Sequence, residues 1–158
     1  MKNLTSMPAS DFCLTHGLDS DSFYRHANNG DFLVTIKDNM QYYVILNRLS
    51  RSFSEGHCLN EMLSMLSNSV RLKWTYTTDN EESTGVSLLS HKGGVFIVRT
   101  DTPGKFPLVF NSYFRANNYF EFLASRRSQV IYNKDFFTED EVEEERKNDK
   151  HSRVHTLE

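Results

Sequence analysis

Apolar positions change period along the chain, and each change marks an element. Ala9, Phe12 and Cys13 recur at three- to four-residue spacing, which predicts a short amphipathic helix opened by Ser6 or Met7, with Pro8 near its first turn. Gly17 supplies the stop, because glycine enters the left-handed region without Cβ strain, and Leu18 plugs the turn. A second helix opens on Asp19 or Ser20 as cap and ends at Gly30. Apolar runs over 31–36 and 41–46 flank a polar turn and predict a β-hairpin. Over 54–66, Leu59, Met62, Leu63 and Leu66 fall at i, i+3, i+4 and i+7, an apolar stripe suited either to packing on a sheet or to a homodimer seam.

From Val70 the period becomes two, with Val70, Leu72, Trp74 and Tyr76 on one face and Arg71, Lys73, Thr75 and Thr77 on the other. A loop is expected at 79–82, then strands at 84–89, 95–99 and 106–110 joined by short turns, which together make an antiparallel sheet or small barrel. A loop leading into a helix (111–124) and a strand (129–132) follow. The predicted fold class is α+β, divided into a head (1–50), a connecting or dimer helix (51–69), an antiparallel β module (70–134) and an acidic tail (135–158), partly disordered.

Composition supports a folded body: 38% of the 158 residues are hydrophobic, with 12 Phe and 7 Tyr to fill a core. No apolar run approaches the roughly 20 residues of a membrane span, and no apolar h-region follows Met1, so no membrane partner and a cytoplasmic address are expected. Cys13 and Cys58 belong to no paired metal spacing and are expected as small buried hydrophobes, with a disulfide or a zinc site as the alternatives. Charge is uneven: residues 1–70 carry a net −2, 71–134 a net +4 and 135–158 a net −5. In the tail, Thr138 and Glu141 have capping-box spacing, acids precede bases, and almost no apolar face exists. That pattern predicts a solvated helix fraying near Asp149.

Phe12-Cys13, His16-Gly17-Leu18, Ser22-Phe23-Tyr24-Arg25 and Asn29-Gly30-Asp31-Phe32, followed by a short hairpin, resemble the winged helix-turn-helix of the excisionase and MerR-like families over roughly the first 40 residues. The resemblance implies DNA as partner, with Ser20, Ser22, Tyr24, Arg25, Asn28 and Asn29 facing a major groove. Arg25 suits guanine, Asn28 suits adenine, and Ser22 and Tyr24 suit phosphates; Lys37 at the wing tip suits the backbone. Asp19, Asp21, Asp31 and Asp38 share that surface and oppose phosphate, so a helix pair used for protein packing stays open as a reading.

The aromatic-rich strand Arg71-Leu72-Lys73-Trp74-Thr75-Tyr76 and the strand Gly94-Val95-Phe96-Ile97-Val98 are similar to the WYL family of bacterial regulators, which implies a ligand-sensing barrel. The family's arginine-containing strand has no match around Leu108 to Arg115, so its ligand residues do not transfer. Arg115, Arg126 and Arg127 with Tyr113, Phe114 and Tyr119 nearby make a candidate anionic-ligand patch, by charge plus stacking.

No Walker loop, nucleophile elbow, HExxH or paired-cysteine spacing occurs, so no catalytic residue, metal or cofactor is assigned and a non-enzyme is expected. The expected function is a small DNA-binding transcriptional regulator of phage, plasmid or bacterial type. The alternative is a protein-binding inhibitor, such as an immunity or antitoxin-type protein, that blocks a basic partner with its acidic surface.

Overall fold

In the computed structural model, residues 5–37, 39–53, 61–77, 80–125 and 129–147 are described. The head begins with a short strand β1 (Ser6–Pro8), which runs directly into α1 (Ala9–His16) with Pro8 as the N-cap residue. Ser6 and Met7 are therefore strand residues and not helix caps. Gly17 closes α1 in the left-handed region (φ 66°), its N–H donating to the Cys13 carbonyl. Asp19 caps α2 (Ser20–Asn29) by accepting from the Ser22 amide at 2.7 Å, and that bond holds its carboxyl below the usual carboxylate range. Strands β2 (Val34–Ile36) and β3 (Tyr42–Ile45) form the predicted hairpin, and β1 pairs with β3 on its other edge, giving the order β1-β3-β2.

After a single turn α3 (Arg48–Arg51) and α4 (Glu61–Ser67), the chain builds a five-stranded antiparallel sheet of order β7-β6-β5-β4-β8. Its members are β4 (Val70–Thr77), β5 (Asn80–His91), β6 (Val95–Thr100), β7 (Leu108–Phe110) and β8 (Ile131–Tyr132). Helix α5 (Tyr113–Ala124) connects the last two strands, and a helix α6 occupies 139–147.

The sheet is buried on both faces, which explains why β6 reads as a continuous apolar run instead of an alternation. Val98 joins Val86, Leu88, Phe106, Phe110, Ala116 and Phe120 in a core that continues into the head through Phe12, Phe23, Phe32 and Phe53. Val95 and Ile97 join Leu33, Ile45, Met62, Leu89 and Val109 in a second core. The head and the β module thus share one continuous apolar interior.

One alternative is decided and three expectations change. Of the sheet or small barrel expected, the chain has an open sheet: among the described residues β7 pairs only with β6 and β8 only with β4, and edge strands of three and two residues leave too little ladder for closure. The expected loop at 79–82 is largely strand, because β5 already pairs from Asn80, opposite Thr77. The strict alternation of β4 fails, since the register slips between Arg71 and Lys73. Lys73 and Thr75 are buried, Val70 is 42% exposed, and Trp74 and Tyr76 are half-buried. Finally, α6 has the expected capping box, Thr138 and Glu141 exchanging bonds of 3.0 and 3.1 Å, yet it is docked. Phe137 and Val142 pack on the first core, and Glu145 reaches a buried lysine. The helix start at 54–60, with Leu59, His57 and Cys58, lies outside the described residues, as do Arg126, Arg127 and the tail beyond 147.

Two glycines separate backbone strain from crowding. Gly17 (φ 66°) has open space where a Cβ would stand, whereas at Gly30 (φ 80°) that Cβ would overlap Met62. Gly17→Ala should cost about 1 kcal/mol. Gly30→Ala should cost clearly more, beyond about 2 kcal/mol, because overpacking adds to the strain. Urea titration of both variants checks the order.

Burial pushes the Glu61 carboxyl up, partly opposed by the bond from Asn47 Nδ2 at 2.9 Å, and its Oε2 is buried without a partner among the described residues. An acid whose pKa rises on folding adds stability below its unfolded pKa and loses it as pH climbs through the folded one. Glu61→Gln should therefore raise Tm at pH 7, with the gain shrinking towards pH 4; a gain independent of pH would contradict the assignment.

Candidate nucleic-acid interface

Helix α2 is amphipathic because Phe23, His26 and Ala27 fall at i, i+3 and i+4, and all three are buried. His26 is held inside by Asp31, Nδ1 to Oδ2 at 2.8 Å, and its ring stands edge-on to Phe53 at 5.1 Å. The Asp31 amide also donates to the His26 carbonyl at 3.0 Å. This buried pair braces the exit of α2 against the turn that follows it. His26 Nε2 is buried and has no hydrogen-bond partner among the described residues.

The outward stripe of α2 carries Asp21, Arg25, Asn28 and Asn29, all exposed. Ser20 is exposed at its start and Ser22 is half-buried. Tyr24 is drawn sideways into packing, its ring 5.5 Å from Phe106 and its hydroxyl donating to the Lys105 carbonyl at 3.4 Å. At the hairpin tip, exposed Lys37 lies over the Tyr43 ring at 4.6 Å. Of the residues expected to face nucleic acid, Ser20, Arg25, Asn28, Asn29 and Lys37 keep an open side, and Tyr24 does not.

Beside the C-terminal end of α2 lies a cleft of about 160 Å³. Asn28, Asn29, Arg99, Thr100 and Lys105 line it. Met62, Leu63, Leu66 and Pro107 close it with apolar surface. Arg99 reaches the site because β6 pairs in register with β5: it stands opposite Ser87, which stands opposite Trp74. The Arg71 guanidinium stacks on the same Trp74 ring at 3.7 Å, so this end of the sheet face is cationic.

Of the candidate patch, Arg126 and Arg127 lie outside the described residues, and Tyr113 and Arg115 make separate contacts. Tyr113 donates to Glu145 Oε1 at 3.3 Å, while Arg115 donates to the Ile36 carbonyl at 3.5 Å on the head. Two residues apart on one helix, they diverge. In the apolar stripe of α4, Met62 is buried with its amide on the Gly30 carbonyl, Leu66 packs on the second core, and Leu63 is 58% exposed. The stripe is largely spent inside the chain.

One fully buried charge went unread in the sequence. Lys73 is fully buried, its ammonium 2.8 Å from Glu145 and 3.2 Å from Glu121, with the Phe120 and Tyr132 rings at 5.1 and 5.5 Å. It joins β4, α5 and α6. Among the described residues no cluster of three His, Cys, Asp or Glu side chains could hold a metal, and no helix is long and apolar enough to cross a membrane. No family model, curated protein or solved structure matches this chain.

Removing the ammonium leaves two carboxylates facing each other at the protein interior. Lys73→Ala should cost about 3–5 kcal/mol, and Glu145→Gln, which keeps an acceptor on Lys73, about 1–3 kcal/mol. Limited proteolysis should cut near α6 first in Glu145→Gln. Cleavage at native rates would show that the helix docks without this contact.

Proposed function

We propose that the chain is a small DNA-binding regulator whose head is a winged helix-turn-helix. The observation that carries this reading is the combination of topology and exposed chemistry in the head. Two helices meet at a left-handed glycine, a hairpin follows, and the preceding strand pairs with the hairpin's second strand. On that frame α2 turns Arg25, Asn28 and Asn29 outward, one guanidinium and two amides, the side chains that read guanine and adenine edges. Lys37 at the hairpin tip supplies a backbone contact on the flank. Arg99 and Lys105, contributed by the β module, add two cations beside the end of α2 and offset Asp19 and Asp21 at its start.

A second reading is favoured by α6. Its docking through Val142 and Glu145 leaves Glu139, Asp140, Glu143 and Glu144 exposed on a rigid support beside Phe136, which is 51% exposed. An ordered acidic surface with an aromatic edge suits an inhibitor of a basic protein partner.

The test is a titration against genomic DNA fragments at two salt concentrations. Saturable, salt-sensitive binding to particular fragments is expected. Arg25→Ala should lose about 1–3 kcal/mol of specific affinity, and Lys37→Ala should weaken all sequences alike and lower the salt slope by about 1. Absence of binding at low salt would remove α2 from the groove and leave the inhibitor reading.

A further inference from the structure

We infer that the cleft between α2 and the β6–β7 connection binds a phosphate group carrying a small apolar substituent. Its lining includes two cationic residues, Arg99 and Lys105, and neither makes an ion pair among the described residues. No Asp or Glu is among the described residues that line it. Two convergent cations without a counter-charge select a dianion over a monoanion, because each unneutralised charge costs solvation and like-charge repulsion that one carboxylate relieves only in part. A phosphate monoester supplies about two negative charges and three strong acceptor oxygens. Arg99 can take two of those oxygens in a planar fork while Lys105 serves as a point charge. Asn28 and Asn29 also line the cleft, and their amides carry N–H donors suited to the remaining acceptor sites.

The apolar part of the lining sets the substituent. Met62, Leu63, Leu66 and Pro107 present apolar surface with no charged atom, and Leu63 is left 58% exposed by the fold, so an apolar group seated there gains burial. At about 160 Å³ the space is smaller than the roughly 300 Å³ at which pockets for drug-sized ligands begin, which limits the occupant to one phosphate and a ring or short chain. The walls come from both halves of the chain, α2 from the head and Arg99 and Lys105 from the β module, on a shared core. The cleft is therefore preformed and does not assemble on binding.

The same chemistry has two sources, a free phosphate monoester or the backbone of a nucleic acid. Phenyl phosphate is the probe, followed by calorimetry on the full chain with inorganic phosphate and phenol as controls. Saturable binding of phenyl phosphate, tighter than of either control, is expected. Arg99→Ala and Lys105→Ala should each weaken it about tenfold. Leu63→Ser, a neutral change at an exposed position, should weaken phenyl phosphate more than inorganic phosphate. No saturation up to about 10 mM, or affinity unchanged in both cation variants, would overturn the inference.

A competing short DNA duplex separates the sources. Displacement of bound phenyl phosphate assigns the cleft to backbone phosphate, and retention assigns it to a small ligand. Because the first titration contains no DNA, its failure is independent of whether the head reads a groove.

Discussion

The left-handed turn at Gly30 is the constraint on which the rest of the molecule depends. It ends α2, and its carbonyl accepts the amide of Met62, so α4 meets the head at a point where any side chain would overlap it. Met62 can then enter the second core, while Phe32 and Leu33, immediately beyond the turn, divide between the two cores. The His26–Asp31 pair closes the same turn from inside. One residue without a Cβ thus decides how the head sits on the sheet and where the cleft beside α2 opens.

Burial on both faces of the five-stranded sheet has a consequence for its charge. A sheet covered twice has little room for lysine, yet Lys73 is fully buried. The geometry is tolerable because two carboxylates approach its ammonium, and two aromatic rings surround it. Those carboxylates come from different helices, so neutralising the cation also fixes α5 and α6 against the sheet. Residues 139–147 of the acidic tail are thereby docked, where their composition predicts a solvated helix. Tyr113 adds its hydroxyl to Glu145, extending the network to the start of α5.

The proposed functional surfaces draw on both halves of the chain. Asn28 and Asn29 belong to a helix whose exposed stripe the head alone supplies, but the cationic residues that line the cleft with them come from β6 and the loop after it. Tyr24, which sequence places on the same reading surface, instead anchors α2 to that loop through Phe106. The regulator reading and the phosphate site share this border and fail separately.

The local elements were legible in the sequence because their causes are local. Glycine caps at 17 and 30, the Asp19 cap, the Thr138–Glu141 box and the hairpin turn all act within a few residues, and each stands where spacing predicts it. Candidate residues on α2 were legible for the same reason, since helix periodicity assigns a face. The β4 face was not, because a bulge at one residue inverts the alternation beyond it and nothing nearby in sequence encodes the bulge. Barrel or open sheet, solvated or docked tail, and the partners of Lys73 depend on groups 48 and 72 residues apart. Arg99 and Lys105 likewise meet Asn28 only across the shared core. Periodicity reports which side of an element is apolar. Which charge lies opposite which is decided by long-range packing, and that only the tertiary structure determined.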